Sequence, residues 1–162
     1  MAITVAILWL TPQVAVCAPP REEATDSPVD EKTAERELLA ATSAWLSATV
    51  AGDFSAQGQF YPETMDAFYL WRDVPKAKVM AEKRRVFAQA EAIDIDIEPP
   101  QVLVDTGGRS ARMYFRKTYV IKGQVDRRGE VLQELRWVKE GDGWKITSER
   151  DLSVIHRASR ER

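Results

Sequence analysis

The chain has 162 residues, 44% hydrophobic and 30% charged, the balance of one globular domain with short extensions. Its net charge of -2 gives no electrostatic footprint for nucleic acid. One cysteine, Cys17, and one histidine, His156, exclude a disulfide framework and the usual zinc spacings, so no cofactor or metal is expected.

Residues 1–18 form a signal-peptide-like segment whose apolar run, 2–10, is far shorter than the roughly 20 residues of a membrane span. Export is expected and a transmembrane span is not, although no Lys or Arg precedes the run and Pro19 disfavours cleavage after Ala18. The alternatives are a cytosolic chain with an apolar N-terminus, or lipidation of Cys17 in the box-like Val14-Ala15-Val16-Cys17. Residues 19–27, PPREEATDS, have nothing to bury and read as a linker.

The folded domain is expected over residues 28–151. Ser27-Pro28-Val29-Asp30 caps a first helix, in which Leu38, Leu39, Thr42, Trp45, Leu46, Thr49 and Val50 recur at helical spacing until Gly52. A shorter helix over 53–61 follows, with Asp53 as its N-cap, and Pro62 closes it. Residues 62–74 carry the aromatics Phe68, Tyr69 and Trp71, which either seal a core or line a cavity. A third helix over 75–90 buries Val79, Met80, Val86, Phe87 and Ala90. Its basic side, Lys76, Lys78, Lys83, Arg84 and Arg85, reads as a solvated face from which Arg84 or Arg85 can still turn toward a carboxylate.

Strands complete the chain. Ile93, Ile95 and Ile97 alternate with Asp94, Asp96 and Glu98, which places the acids toward water, where basic residues of a neighbouring strand can pair with them. Pro99-Pro100 interrupts this strand, 101–105 resumes extended, and Thr106-Gly107-Gly108 turns into a three-strand meander over 108–150. In its first strand Ala111, Met113, Phe115, Tyr119 and Ile121 share one face and Arg112, Arg116 and Lys122 the other; Val131, Leu135 and Trp137 repeat the pattern before the Gly141-Asp142-Gly143 turn into Trp144 and Ile146. Residues 152–162 read as a frayed basic tail containing His156.

Helices followed by a long twisted meander make an α+β domain: three N-terminal helical segments packed on a strongly curved antiparallel sheet that forms a cone. This order resembles the nuclear transport factor 2-like superfamily. The resemblance is carried by Trp45 and Ala48, Gly52-Asp53, Phe60-Tyr61, Lys83-Arg84-Arg85, Phe115 with Tyr119, and Gly143-Trp144-Lys145-Ile146 with Glu149. The spacing more narrowly resembles the accessory domain of bacterial envelope proteins with L,D-transpeptidase or tetratricopeptide-repeat modules, with Gln57 where an aromatic is frequent. It implies a non-catalytic binding module whose cone, lined by Trp45, Tyr61, Phe68, Trp71, Lys117, Tyr119 and Trp137, takes a small-molecule or peptide-like ligand, or whose outer face docks an envelope protein. The rival reading is an isomerase, dehydratase or cyclase with Asp53 or Glu149 as base and Tyr61 or Tyr119 as donor. A homodimer stays open, with a charged outer face arguing against an apolar seam.

Lys117 shares the parity of Phe115 and Tyr119, so a regular strand points its ammonium into the cone, where it would hold a carboxylate. A bulge near Arg116, or a stem lying along the wall, would instead carry its head to water.

Overall fold

The computed structural model describes residues 30–161, with side chains to residue 158. The leader, the linker and the Ser27-Pro28 cap lie outside the described residues. Helix α1 (Glu31–Val50) has Asp30 at its N-cap position with no side-chain cap, and Gly52, at φ 66°, ends it as the spacing predicts. Its buried stripe is Ala34, Leu38, Thr42, Trp45, Ala48 and Thr49, whereas Leu39 and Val50 are exposed. Helix α2 (Phe54–Gly58) is shorter than 53–61, and the Asp53 carboxylate caps it by accepting from the Ser55 and Ala56 amides. That role removes Asp53 from the candidate bases.

The aromatic segment is a hairpin, with strands β1 (Thr64–Phe68) and β2 (Trp71–Pro75). Helix α3 (Lys76–Phe87) ends before 90 because Ala90 already belongs to β3 (Ala90–Ile97). Strands β4 (Gln101–Val104), β5 (Ser110–Gly123), β6 (Val125–Glu140) and β7 (Gly143–Glu161) complete a seven-stranded sheet of order β2-β1-β7-β6-β5-β3, with β4 beside β5. The sheet is mixed rather than wholly antiparallel, because β1 runs parallel to β7. It is curved and not closed, and the α+β cone architecture holds. Ile93, Ile95 and Ile97 are half-buried, Asp94, Asp96 and Glu98 are exposed, and Arg116 pairs with Glu98 and Glu130 across the outer face.

The frayed tail is a correction. Strand β7 continues to Glu161, which pairs with Val125, because β6 begins at Val125 and offers a full-length edge. The alternation that normally marks a strand is broken by three bulges. Trp137 faces Ile146 but Arg136 faces Ser148, so Thr147 is extra; the same count makes Leu152 and Ile155 extra. Residues opposite one another share a face, so the inner face of β6, Leu135, Gln133, Val131 and Gly129, brings Glu149, Asp151, Val154 and Arg157 inward with it. The bulges decide which acids the cone contains.

The core lies between α1 and the inner sheet face, built on Leu38, Trp45, Met113, Leu135, Trp137 and Ile146. It fills one end of the cone, and the other end stays open.

Candidate functional site

At the narrow end of the opening, Glu149 is 1% exposed. Lys83 Nζ donates to both its carboxylate oxygens at 2.8 and 2.9 Å, Tyr69 donates to Oε1 at 2.9 Å and Tyr61 to Oε2 at 3.1 Å. The Trp45 indole N–H donates in turn to the Tyr61 oxygen at 3.0 Å. Lys83 lies 5.3 Å from the Phe68 ring centroid and within 6 Å of those of Tyr61 and Trp45, a distance at which a ring face attracts a cation. Burial alone raises the Glu149 carboxyl, but the Lys83 and Lys117 charges and the hydrogen bonds from Lys83 and Tyr69 outweigh it and hold the group below its ordinary value. Burial, reinforced by the Glu149 charge, pushes the Tyr61 and Tyr69 phenols well above theirs, so both remain neutral donors.

A carboxylate accepting four hydrogen bonds from three donors has little capacity left for a substrate proton. Glu149 is therefore a structural anion, and Tyr61 is committed to it. The inward base expected of Arg84 or Arg85 is Lys83, placed with Val79 and Met80 on the buried stripe of α3, while Arg84 and Arg85 are exposed.

Beyond this plug opens a cavity of about 1100 Å³. Phe68, Tyr69 and Trp71 wall it from the hairpin, Val86 and Phe87 from α3, and Ile95 and Tyr119 from the sheet. Lys117 does point inward. Its side chain is 12% exposed, it lines the cavity, and it makes no side-chain hydrogen bond among the described residues; its nearest carboxylate oxygen is Asp151 Oδ1, 3.9 Å away. Burial pulls the Lys117 ammonium below its ordinary pKa, partly offset by Glu149 and Asp151. Burial raises the Asp151 carboxyl, Lys117 pulls it back and Glu149 pushes it up again, for a net rise. Gln133 Nε2 donates to Asp151 at 3.3 Å, and Arg157 approaches it to 3.8 Å from the rim.

Of the seven residues read from sequence as the lining, Phe68, Trp71, Lys117 and Tyr119 face the cavity. Trp45 and Tyr61 lie behind it in the plug. Trp137 is wholly buried and packs edge-on against Phe60 at 6.4 Å, so it is core. Gln57 is likewise buried, donating to the Thr49 hydroxyl at 2.7 Å. His156 is exposed on β7 opposite Glu130. Asp151, Val154 and Arg157 were missed, because the bulges hide their parity.

The Tyr119 ring has room through Gly129, its cross-strand partner. A Cβ there would lie 2.6 Å from the Tyr119 hydroxyl oxygen and 2.8 Å from the His156 carbonyl oxygen. Five cationic side chains line the cavity, Arg72, Lys83, Lys117, Arg127 and Arg157, against two carboxylates, Glu82 and Asp151. Glu149 neutralises Lys83, and the cavity still carries more positive than negative charge in a chain of net charge -2.

No protein-family model matches the chain, and no curated protein matches it in sequence. Solved structures do. A proposed dehydratase of the nuclear transport factor 2-like family from Streptomyces avermitilis superposes with a TM-score of 0.65 at 17% identity, over 75% of this chain and 96% of that one. A proposed scytalone dehydratase from Novosphingobium aromaticivorans gives 0.70 at 8% identity over 81% and 90%. A type 2 hexachlorocyclohexane dehydrochlorinase gives 0.64 at 4% over 80% and 93%. At these identities the likeness is one of fold, and the fold is the nuclear transport factor 2-like cone.

Proposed function

We propose that this nuclear transport factor 2-like cone binds a small apolar molecule bearing one acidic group, with the acid received by Lys117. The observation that carries the reading is Lys117 itself, a largely buried cation without a hydrogen bond among the described residues, on the wall of a cavity of about 1100 Å³. With only part of its water shell and its nearest carboxylate oxygen 3.9 Å away, the ammonium is incompletely matched, and a ligand carboxylate or phosphate would complete it. The aromatic and aliphatic walls supply the apolar contact, and the cationic surplus supplies attraction. The test is titration of Trp71 fluorescence with apolar carboxylic acids, each matched with its neutral amide. Acids should bind at least about tenfold more tightly than amides, and Lys117→Met should erase the difference. Acids and amides binding alike, or acids binding Lys117→Met as they bind the wild type, would refute the reading.

A second reading rests on Asp151, a carboxyl raised by burial that faces the same cavity beside Lys117. Such a group can accept a proton from a bound substrate, the chemistry of an isomerase or dehydratase, whereas Glu149 and Asp53 are committed elsewhere. A ligand recovered chemically unchanged after incubation with the wild type leaves only binding. One turned over by the wild type but merely bound by Asp151→Asn makes the cone an active site.

Export to the cell envelope is part of the proposal and is carried by residues 2–18 of the sequence. A mature mass beginning near Ala18 or Pro19 in protein from the native host supports it, and a full-length cytosolic mass removes it.

A further inference from the structure

Holding a ligand deep in the cone does not require an apolar rim, yet the rim has one. Leu70, at the tip of the β1–β2 turn, is 96% exposed, and Trp71 beside it is 41% exposed. Across the opening, Leu152 is 48% and Val154 52% exposed, and all four residues border the cavity. The tip is held out deliberately by the chain. Tyr69 adopts φ 52°, a left-handed conformation unfavourable for a bulky residue. It persists because the Tyr69 amide donates to the Glu149 carbonyl at 2.7 Å and its hydroxyl to the Glu149 carboxylate at 2.9 Å.

The same rim is cationic. Arg72, Arg127 and Arg157 border the opening, and Lys78 stands 4.2 Å over the Trp71 ring. The acids nearby are partly answered: Glu82 accepts from Arg85 at 2.8 Å, and Asp151 faces Lys117 and Arg157, leaving Asp73 exposed on β2 and Asp66 opposite it on β1. Apolar tips, an interfacial tryptophan and flanking cations are what a lipid–water interface binds.

We infer that this rim docks on an anionic lipid bilayer and that the ligand of the cone is an amphiphilic acid taken from, or delivered to, that bilayer. The inference rests on the reading of Lys117 as the acid-binding residue and adds the ligand's source. A lipid acid in a bilayer presents its head toward a docked protein. Entering the mouth head-first brings the acid to Lys117 at depth, while its tail follows against Trp71, Phe87 and Val154 near the opening. The tail then moves between bilayer and cone without crossing water.

The test is co-sedimentation of the full chain with vesicles of phosphatidylcholine alone and of equimolar phosphatidylcholine and phosphatidylglycerol, at low and high salt, with no added ligand. The wild type should bind the anionic vesicles, more weakly at high salt, and pass over the neutral ones. Leu70→Glu should weaken binding by about tenfold or more and Arg72→Gln by about fivefold, and both residues are exposed, so thermal melting should match the wild type. Lys117→Met, assayed with the soluble acids of the preceding test rather than with vesicles, reads the ligand site separately from this surface. Absence of vesicle binding, equal binding to neutral vesicles, or binding that survives Leu70→Glu, as attachment through residues 2–10 would, overturns the inference.

Discussion

Replacing Lys83 by Met keeps most of an apolar stem and removes the charge on which Glu149 depends. The carboxylate would stay 1% exposed with two phenolic donors in place of four hydrogen bonds. Breaking a buried ion pair from one side strands the other charge and costs about 3–5 kcal/mol. That is a large part of the roughly 5–15 kcal/mol by which a domain is stable. At about 2–4 °C per kcal/mol for a chain of this size, Lys83→Met should melt on the order of 10 °C lower. The pH dependence has a definite sign. Folded Glu149 is held below its ordinary value, so its ionisation contributes stability that is fully present above the unfolded pKa of about 4.3 and is lost as pH falls through the folded value. Without Lys83, burial prevails and the carboxyl moves up, so the variant's deficit is largest near neutral pH and narrows on acidification. Urea unfolding followed by tryptophan fluorescence at several pH values measures both. A deficit below about 1 kcal/mol at neutral pH, or one independent of pH, would show that the pair is not what holds the plug together. If the single variant fails to fold, Lys83→Met/Glu149→Leu still decides, because removing both charges should restore much of the loss.

Lys117→Met should behave oppositely in the same assay, with stability unchanged or about 1 kcal/mol higher, since it replaces a largely buried ammonium whose carboxylate neighbour, Asp151, stands 3.9 Å away, too far for a hydrogen bond. Gly129→Ala should cost about 1–3 kcal/mol and displace Tyr119 into the cavity, weakening ligand binding; unchanged binding would mean that Tyr119 does not shape the site. Asp53→Ala should lose about 1 kcal/mol by urea unfolding and leave ligand binding untouched, as befits a cap.

The fold was legible where periodicity was regular. The parity of β5 places Lys117 and Tyr119 on the cavity wall, and the sequence Gly52-Asp53 marks a stop and a cap. The site was legible only in part, for two physical reasons. Lys83 was hidden by its charge: Val79, Met80, Lys83, Val86 and Phe87 follow one helical stripe, and only the assumption that a basic residue belongs outside moved Lys83 off it. Asp151, Val154 and Arg157 were hidden by the bulges, although Glu149 was named among the candidate bases. Counted from Trp144 and Ile146, strict alternation brings Ser148 and Arg150 inward, and one extra residue at Thr147 reverses that. A bulge is a property of the pairing of two strands and has no signature in either one alone.

The two lysines of the cone divide its work because their surroundings differ in how completely they answer a charge. Lys83 and Glu149 share two hydrogen bonds, the carboxylate takes two more from phenols, and aromatic rings enclose the ammonium, so little is left for a third party. Lys117 and Asp151 stand 3.9 Å apart on an open cavity, too far for a hydrogen bond, with burial working against both charged forms. The two sites are nevertheless electrostatically joined, since Glu149 favours the ammonium of Lys117 and disfavours the carboxylate of Asp151. Neutralising the plug therefore lowers Lys117 further and allows Asp151 to ionise more readily. It follows that Lys83→Met/Glu149→Gln, which retains the cavity lining other than Lys83, should shift the pH profile of acid binding at Lys117 to lower pH. A profile that does not move would mean that the plug acts on the site through packing alone.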